Sequence, residues 1–372
     1  IYKDEIPTVE QVQDLVEKVL VEDGHTKTAK AYILYRSNRT RSREMNTRLM
    51  KVYEDLTFTS AKESDIKRDN ANIDGDTAMG TMLKYGSEGA KQFYEMYVLD
   101  PKHAAAHNNG DIHIHDLDFL TLTTTCCQID IAKLFEGGFF TGHGFLREPN
   151  SIQSYSALAC IAIQSNQNDQ HGGQSIPNFD YGLSLGVSKS FIMEIVRIAE
   201  ILYDGIDFDS VKTTLKRYLK ENGHILDDGG IVFTRNILAE TLKLSAQDTV
   251  ISKIIDKAIA ATEKSTYQAM EALIHNLNTM HSRAGAQTPF SSINYGMDTT
   301  PEGRMVTKNV LLATEAGLGH GETPIFPIHI FRVKEGVNYN PGEPNYDLFH
   351  LACRVSAKRL FPNFSFLDAP FN

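Results

Sequence analysis

The sequence predicts an α/β protein built on parallel strands. Three observations point there: stretches of helical periodicity, short apolar runs bounded by turn residues, and the alternation of the two along the chain. Buried strands that alternate with helices favour a parallel barrel or sheet. Helices are expected at residues 75–85, 87–98, 180–203, 209–221 and 246–280, and strands at 111–115, 323–333 and 363–368.

The elements follow in chain order. Residues 8–21 place Val9, Val12, Val16, Val19 and Leu20 at helical spacing, with a start signal at Pro7 and Thr8 and a stop at Asp23 and Gly24. A second helix is expected over 27–35, running into RSNRTRSRE, which reads as the solvated end of that helix rather than a binding patch. The two are too small to hold a core and read as the remnant of an N-terminal module. From Met45 the chain becomes mixed α/β, without internal repeats. Gly- and amide-rich stretches interrupt it at 135–139, 164–175 and 282–290. The second, QSNQNDQHGGQS, has almost no apolar side chain. It is either a surface loop or a lining of amide and backbone donors around a polar ligand.

Composition narrows the function. With 372 residues, 41% hydrophobic and 23% charged, the chain is an ordinary globular sequence with enough length for a large core. A net charge of −10 argues against a general nucleic-acid binder but leaves room for a local nucleotide pocket. Four cysteines with no Cys-x-x-Cys make neither a disulfide framework nor a zinc ribbon. No long apolar run or signal peptide is present, so a cytoplasmic protein is expected. An opening at Ile1 and an end at SFLDAPFN read as a fragment, or as the ordered part of something longer.

The densest chemistry lies in NNGDIHIHDLDFLTLTTTCCQID, residues 108–130. As a strand, HIHD puts His113 and His115 on one face. They suit zinc only with further ligands, and Cys126, Cys127, His143 and His171 stand at no diagnostic spacing. Two other readings stay open: histidines bonded in a polar interior, or histidines lining a site for an anionic substrate. In TTTCCQ, three threonines favour a strand with Cys126 and Cys127 on opposite faces, one in the core and one toward a ligand or cavity. In GHGETPIFPIHIF, residues 319–331, a glycine turn enters a strand whose two prolines predict an edge or a bulge.

Six segments resemble anaerobic (class III) ribonucleotide reductase in order and spacing: NNGDIHIHDLDFL, TTTCCQIDIAKLFEGGF, QSNQNDQHGGQSIPNFD, HNLNTMHSRAGAQTPFSSINYG, TPIFPIHIF and PNYDLF…SAKRLFPNFSFLDAPFN. VEQVQDLVEKVL…AKAYILYRSNRTRSRE resembles the C-terminal end of an ATP-cone. The implied domains are 1–44, the end of that regulatory module, and 45–372, the N-terminal and central part of the catalytic barrel. The implied fold is a ten-stranded α/β barrel of the glycyl-radical and ribonucleotide reductase type, two antiparallel halves of five parallel strands, incomplete here at the C-terminus.

The resemblance also implies an activity: reduction of ribonucleoside triphosphates to deoxyribonucleoside triphosphates by glycyl and thiyl radical chemistry, regulated by ATP, dATP and other deoxynucleotides. The implied partners are a second copy, in a homodimer or higher oligomer, and an iron–sulfur, S-adenosylmethionine-dependent activase that installs the glycyl radical. Formate or a thioredoxin-like protein supplies electrons; no membrane and no nucleic acid is involved. Cys126 is the expected substrate-side thiol, with Cys127 as the alternative, and His113 and His115 are wall residues of the same pocket. Nucleotide contacts are expected from Gln164, Asn166, Gln170, Gly172, Gly173, Gln174 and Ser175, and from Gly285 and Gln287 in the GAQTPF turn. The thiyl-bearing cysteine, the glycyl-radical segment and its zinc site are expected beyond Asn372, so no metal is expected in these residues. Cys353 reads as core packing, and residues 180–203 and 209–221 as dimer-interface or core helices. The alternatives are another glycyl-radical barrel enzyme such as a lyase, a cobalamin-dependent reductase, or an inactive nucleotide-binding body.

Overall fold

A computed structural model describes residues 6–60, 62–68, 73–121, 124–203, 206–283 and 285–371, the side chains of 45–47 and 68 excepted. Thr123 of the threonine run and Ala284 before the GAQTPF turn lie outside the described residues. The chain divides into two compact units: Ile1–Leu122 with Ala284–Ala286, and Thr123–Arg283 with Gln287–Asn372.

The first unit is helical. Helix α1 (Val9–Glu22) opens on a capping box, in which Thr8 Oγ1 accepts the Gln11 amide at 3.3 Å and Gln11 Oε1 accepts the Thr8 amide at 2.8 Å. It has no buried residue, so its valine stripe stays exposed, as a piece too small for its own core requires. Helix α2 (Thr26–Phe58) runs on through the basic stretch and through the junction at 44–45, because no Gly or Pro interrupts it. Arg36 of α2 ties the two together, its guanidinium meeting Glu10, Asp14 and Glu17 along one face of α1. Helices α3 (Asp65–Arg68), α4 (Ala78–Phe93) and α5 (Pro101–Asn108) complete the unit, with a π-helical turn at Tyr94–Val98 and a 3₁₀ turn at Leu117–Phe119. The two helices expected at 75–85 and 87–98 are therefore continuous. Gly86 sits in open space, where a glycine inside a helix costs only about 1 kcal/mol.

Residues 111–115, expected as a strand, are irregular. The amides of Asp111 and Ile112 return to the Ala106 carbonyl at the end of α5, at 2.9 and 3.3 Å, and the Ile114 amide bonds His107 Nδ1 at 3.2 Å. Donors spent locally are not available to a ladder.

The second unit alternates strand and helix. In chain order it comprises β1 (Thr125–Gln128), α6 (Ile131–Phe135), the hairpin β2 (Phe139–Phe140) and β3 (Phe145–Leu146), α7 (Ile152–Asp169), β4 (His171–Ile176), α8 (Phe179–Leu202), α9 (Asp209–Asn222), α10 (Asp228–Leu242) and α11 (Thr249–Thr279). There follow β5 (Ser291–Tyr295), α12 (Pro301–Ala316), β6 (Ile328–Val333), α13 (Tyr346–Arg359) and β7 (Asn363–Phe366). Five strands pair in parallel in the order β1-β4-β5-β6-β7. That is the number expected for one half of the barrel.

Two expectations change here. Strand β6 is interior, between β5 and β7, because Pro324 and Pro327 precede it and remove no ladder donor from it. The polar stretch 164–175 is not a loop: it is the end of α7 and most of β4. Its amides bond within the fold, as when Gln164 Nε2 donates to Asn276 Oδ1 on α11 at 2.7 Å.

Alternation divides the sheet. Gln174, Ile176, Ile293, Tyr295, His329, Phe331 and Val333 are buried on the helix-covered face, where α7 packs on β4, α8 on β5 and α13 on β6. Ser175, Ser292, Asn294, Ile328, Ile330 and Arg332 lie half-buried on the other, open face. A second apolar cluster joins the end of α8 to α9, α10 and the start of α11.

Candidate functional site

A cavity of about 410 Å³ lies on the open face, within the size range of small-molecule sites, roughly 300–1,000 Å³. Register builds its floor: Gln128, Ser175, Ser292 and Ile328 are successive partners across β1, β4, β5 and β6. Cys126 and Gly173, each two residues earlier on its strand, border the same cavity, and Phe290 stands beside it. No lining residue is charged.

The cysteine end of the cavity is irregular. Thr125 pairs with His171 but Cys127 with Gln174, so β4 carries one extra residue there. Gly172 takes up the distortion at φ +88°, and Cys126 itself sits at φ +55°. Cys126 is exposed, and its Sγ receives the Gly173 amide at 3.4 Å.

Cys127 is held differently. Its Sγ accepts from Asn166 Nδ2 at 2.9 Å and donates to Gln174 Oε1 at 3.3 Å, and Asn166 Nδ2 also donates to Gln174 Oε1. Burial pushes the Cys127 thiol above its ordinary range; the Asn166 amide opposes that shift, and Cys126 adds to it. Neither cysteine enters the apolar core, contrary to the expectation for one of them, because α7 presents an amide to the strand there. Cys160 is the core cysteine, its thiol pushed up to about 12 by burial. Cys353 is exposed instead of packed: α13 buries Leu348, Ala352, Val355 and Arg359, and Cys353 falls outside that stripe.

His113 and His115 belong to the first unit, whereas the cysteines belong to the second. Both are exposed, with ring centres 6.0 Å apart, and His115 Nε2 lies 3.2 Å from Asp116 Oδ2. Among the described residues no group of His, Cys, Asp and Glu is placed to hold a metal ion.

Of the residues expected to contact nucleotide, Gly173, Gln174 and Ser175 line the cavity. Gly172 shapes the bulge beside it, and Asn166 reaches it only through Cys127 and Gln174. The Gln164 amide is committed to Asn276, and Gln170 Nε2 is buried without a partner among the described residues. Gly285 lies in the first unit, its carbonyl accepting the Asp74 amide at 2.8 Å, and buried Gln287 accepts the Ser282 amide at 3.3 Å through its carbonyl. Gln128, Phe290, Ser291, Ser292 and Ile328 were not foreseen; alternation within SSINY was the available signal for Ser292.

Comparison with known proteins identifies the chain's relatives. Residues 69–372 match the family model of anaerobic ribonucleoside-triphosphate reductase, and residues 1–41 match that of the ATP cone domain. The anaerobic ribonucleoside-triphosphate reductase of Haemophilus influenzae is 27% identical over 358 residues, 95% of this chain and 43% of that protein. Its counterpart in Escherichia coli is 26% identical over the same shares. That of Enterobacteria phage T4 is 28% identical over 309 residues, 80% of this chain and 42% of that protein. The chain thus spans less than half the length of these relatives. A solved anaerobic ribonucleotide reductase superposes with TM-score 0.52 at 12% identity, over 99% of this chain and 50% of that one. The Thermotoga maritima enzyme in complex with dATP and CTP gives TM-score 0.50 at 14% identity, over 88% and 49%. At these identities the structural likeness is one of fold.

Proposed function

Since this chain belongs to the anaerobic ribonucleoside-triphosphate reductase family, we propose that its second unit is the part of a reductase that holds a ribonucleoside triphosphate against the Cys126–Cys127 pair. The observation that carries the reading is the polar row Gln128, Ser175 and Ser292, set across three strands beside an exposed thiol. Amide and hydroxyl groups suit the hydroxyls of a sugar and the edges of a base, and of the two cysteines that line the cavity Cys126 is the more exposed. A glycyl radical, the cofactor implied by the family, supplies one-electron chemistry. The residues of this chain bind the sugar, orient it and present the thiol.

The match of residues 1–41 to an ATP cone supports regulation by ATP or dATP, and the Thermotoga maritima complex with dATP supports a deoxynucleotide effector. In this reading the protein works as a homodimer or higher oligomer, takes its radical from an activase and its electrons from formate or a thioredoxin-like protein, and resides in the cytoplasm. His113 and His115 enter it as an exposed pair open to an anion such as formate. No helix among the described residues is long and apolar enough to cross a membrane.

Calorimetric titration of the full-length protein with deoxynucleotides and ribonucleoside triphosphates, without activase, tests the proposal. A deoxynucleotide that changes affinity for one ribonucleotide is expected, and the coupling must be reciprocal. A folded protein that binds no nucleotide would overturn it.

A further inference from the structure

Asn166 lies in the last turn of α7, where helix, strand and thiol converge. Its Nδ2 donates both to Cys127 Sγ on β1, at 2.9 Å, and to Gln174 Oε1 on β4. Gln174 is 1% exposed, accepts the Cys127 thiol at 3.3 Å, and steadies its own Nε2 on the Gly172 carbonyl at 3.5 Å. The result is a closed triangle of three side chains from three elements. Cys126, its immediate neighbour, is exposed and receives one backbone amide.

We infer that Asn166 is a positioning residue for the cysteine pair: of the two cysteines that line the cavity, it holds Cys127 Sγ, with Gln174, against the end of α7 and leaves Cys126 as the more exposed sulfur. The inference rests on the reductase reading for what the thiols serve. How they are held rests on the triangle alone.

The physics gives a readout separate from folding. A hydrogen bond donated to sulfur favours the thiolate, while burial opposes it. The groups facing Cys127 are the neutral amides of Asn166 and Gln174, with Cys126 as its titratable neighbour. Loss of the Asn166 N–H therefore leaves burial unopposed, and the thiol titrates later.

The test is site-resolved alkylation of the full-length protein with iodoacetamide, without oxygen or activase, across about pH 6–10, with peptide fragmentation telling Cys126 from Cys127. In the unsubstituted protein, Cys126 labels first. In Asn166→Leu the Cys127 midpoint moves up by about one pH unit, and in Asn166→Asp, which keeps the shape, loses the donor and adds a negative charge, further still. Labelling of Cys126 is unchanged. A general loosening would instead bring the Cys127 midpoint down and expose the core thiol of Cys160. If the leucine variant opens the core, Asn166→Ala, which removes the donor without adding bulk or charge, decides by the same upward shift of Cys127. A Cys127 midpoint that is unchanged or lowered, with Cys160 still protected, overturns the inference. Such a failure with nucleotide binding intact leaves the reductase reading standing, and an upward shift without nucleotide binding does the reverse.

Discussion

Gly172 backs directly onto Cys126: a β-carbon at Gly172 would come within 2.9 Å of Cys126 Sγ and 3.1 Å of its backbone nitrogen. Gly172 also sits at φ +88°, a conformation that side chains disfavour. Gly172→Ala is therefore expected to cost about 2 kcal/mol in urea unfolding and to change the alkylation rate of Cys126. An alanine variant of unchanged stability and unchanged Cys126 reactivity would contradict this account of the bulge.

Asp180 anchors the turn after β5. Its Oδ2 accepts the amides of Gly296, Met297 and Asp298 at 2.8, 2.9 and 3.0 Å, yet burial dominates and holds its carboxyl above the usual range. A carboxyl raised in the folded state favours folding most at pH below its unfolded value, and that contribution is lost as pH rises through the raised value. Asparagine at this position does not titrate. The stability advantage of the unsubstituted protein over Asp180→Asn should thus be greatest near about pH 4 and shrink toward pH 7, as read from chemical denaturation across that range. An advantage that grows with pH would refute the assignment.

Glu302 clips three elements together. Its Oε1 accepts from Ser188 Oγ on α8 and from the amides of Ile225 and Leu226, at 2.9, 2.7 and 2.9 Å. Glu302→Ala leaves those donors buried without an acceptor and should cost about 3 kcal/mol. Glu302→Gln keeps an acceptor oxygen and should lose less than half of that. Equal losses would mean that charge, not acceptance, matters there.

Arg36 is the main ionic link between α1 and α2, beside a longer Arg43–Glu10 pair at 3.7 Å, and α1 has no buried residue to replace it. Arg36→Ala should raise amide exchange along α1 roughly tenfold while exchange in α8 stays as it was. In the unsubstituted protein, added salt should produce part of the same effect.

Much of the fold was legible where periodicity was long. The helices expected at 180–203, 209–221 and 246–280 match α8, α9 and α11 to within a few residues, because a helix of many turns declares its apolar face repeatedly. Short segments misled. DIHIHD alternates like a strand, but the amides of Asp111 and Ile112 turn back onto Ala106 and that of Ile114 onto His107. QSNQNDQHGGQS left a loop and a polar lining open; it is helix and strand, Gln164 bonds to α11 and Asn166 to Cys127 and Gln174, while Gly173, Gln174 and Ser175 line the cavity. The thiols were visible as adjacent letters, whereas the polar row was not. Residues 128, 175, 292 and 328 become neighbours only through parallel crossovers, whose register no local stretch encodes.

The most direct measurement is the alkylation rate of Cys126 in the full-length protein with and without a saturating ribonucleoside triphosphate. If the cavity beside the polar row is the substrate site, bound nucleotide should slow labelling of Cys126 at least about tenfold and leave exposed Cys353 unchanged. Nucleotide binding demonstrated in the same sample with no protection of Cys126 would contradict it and place the substrate elsewhere.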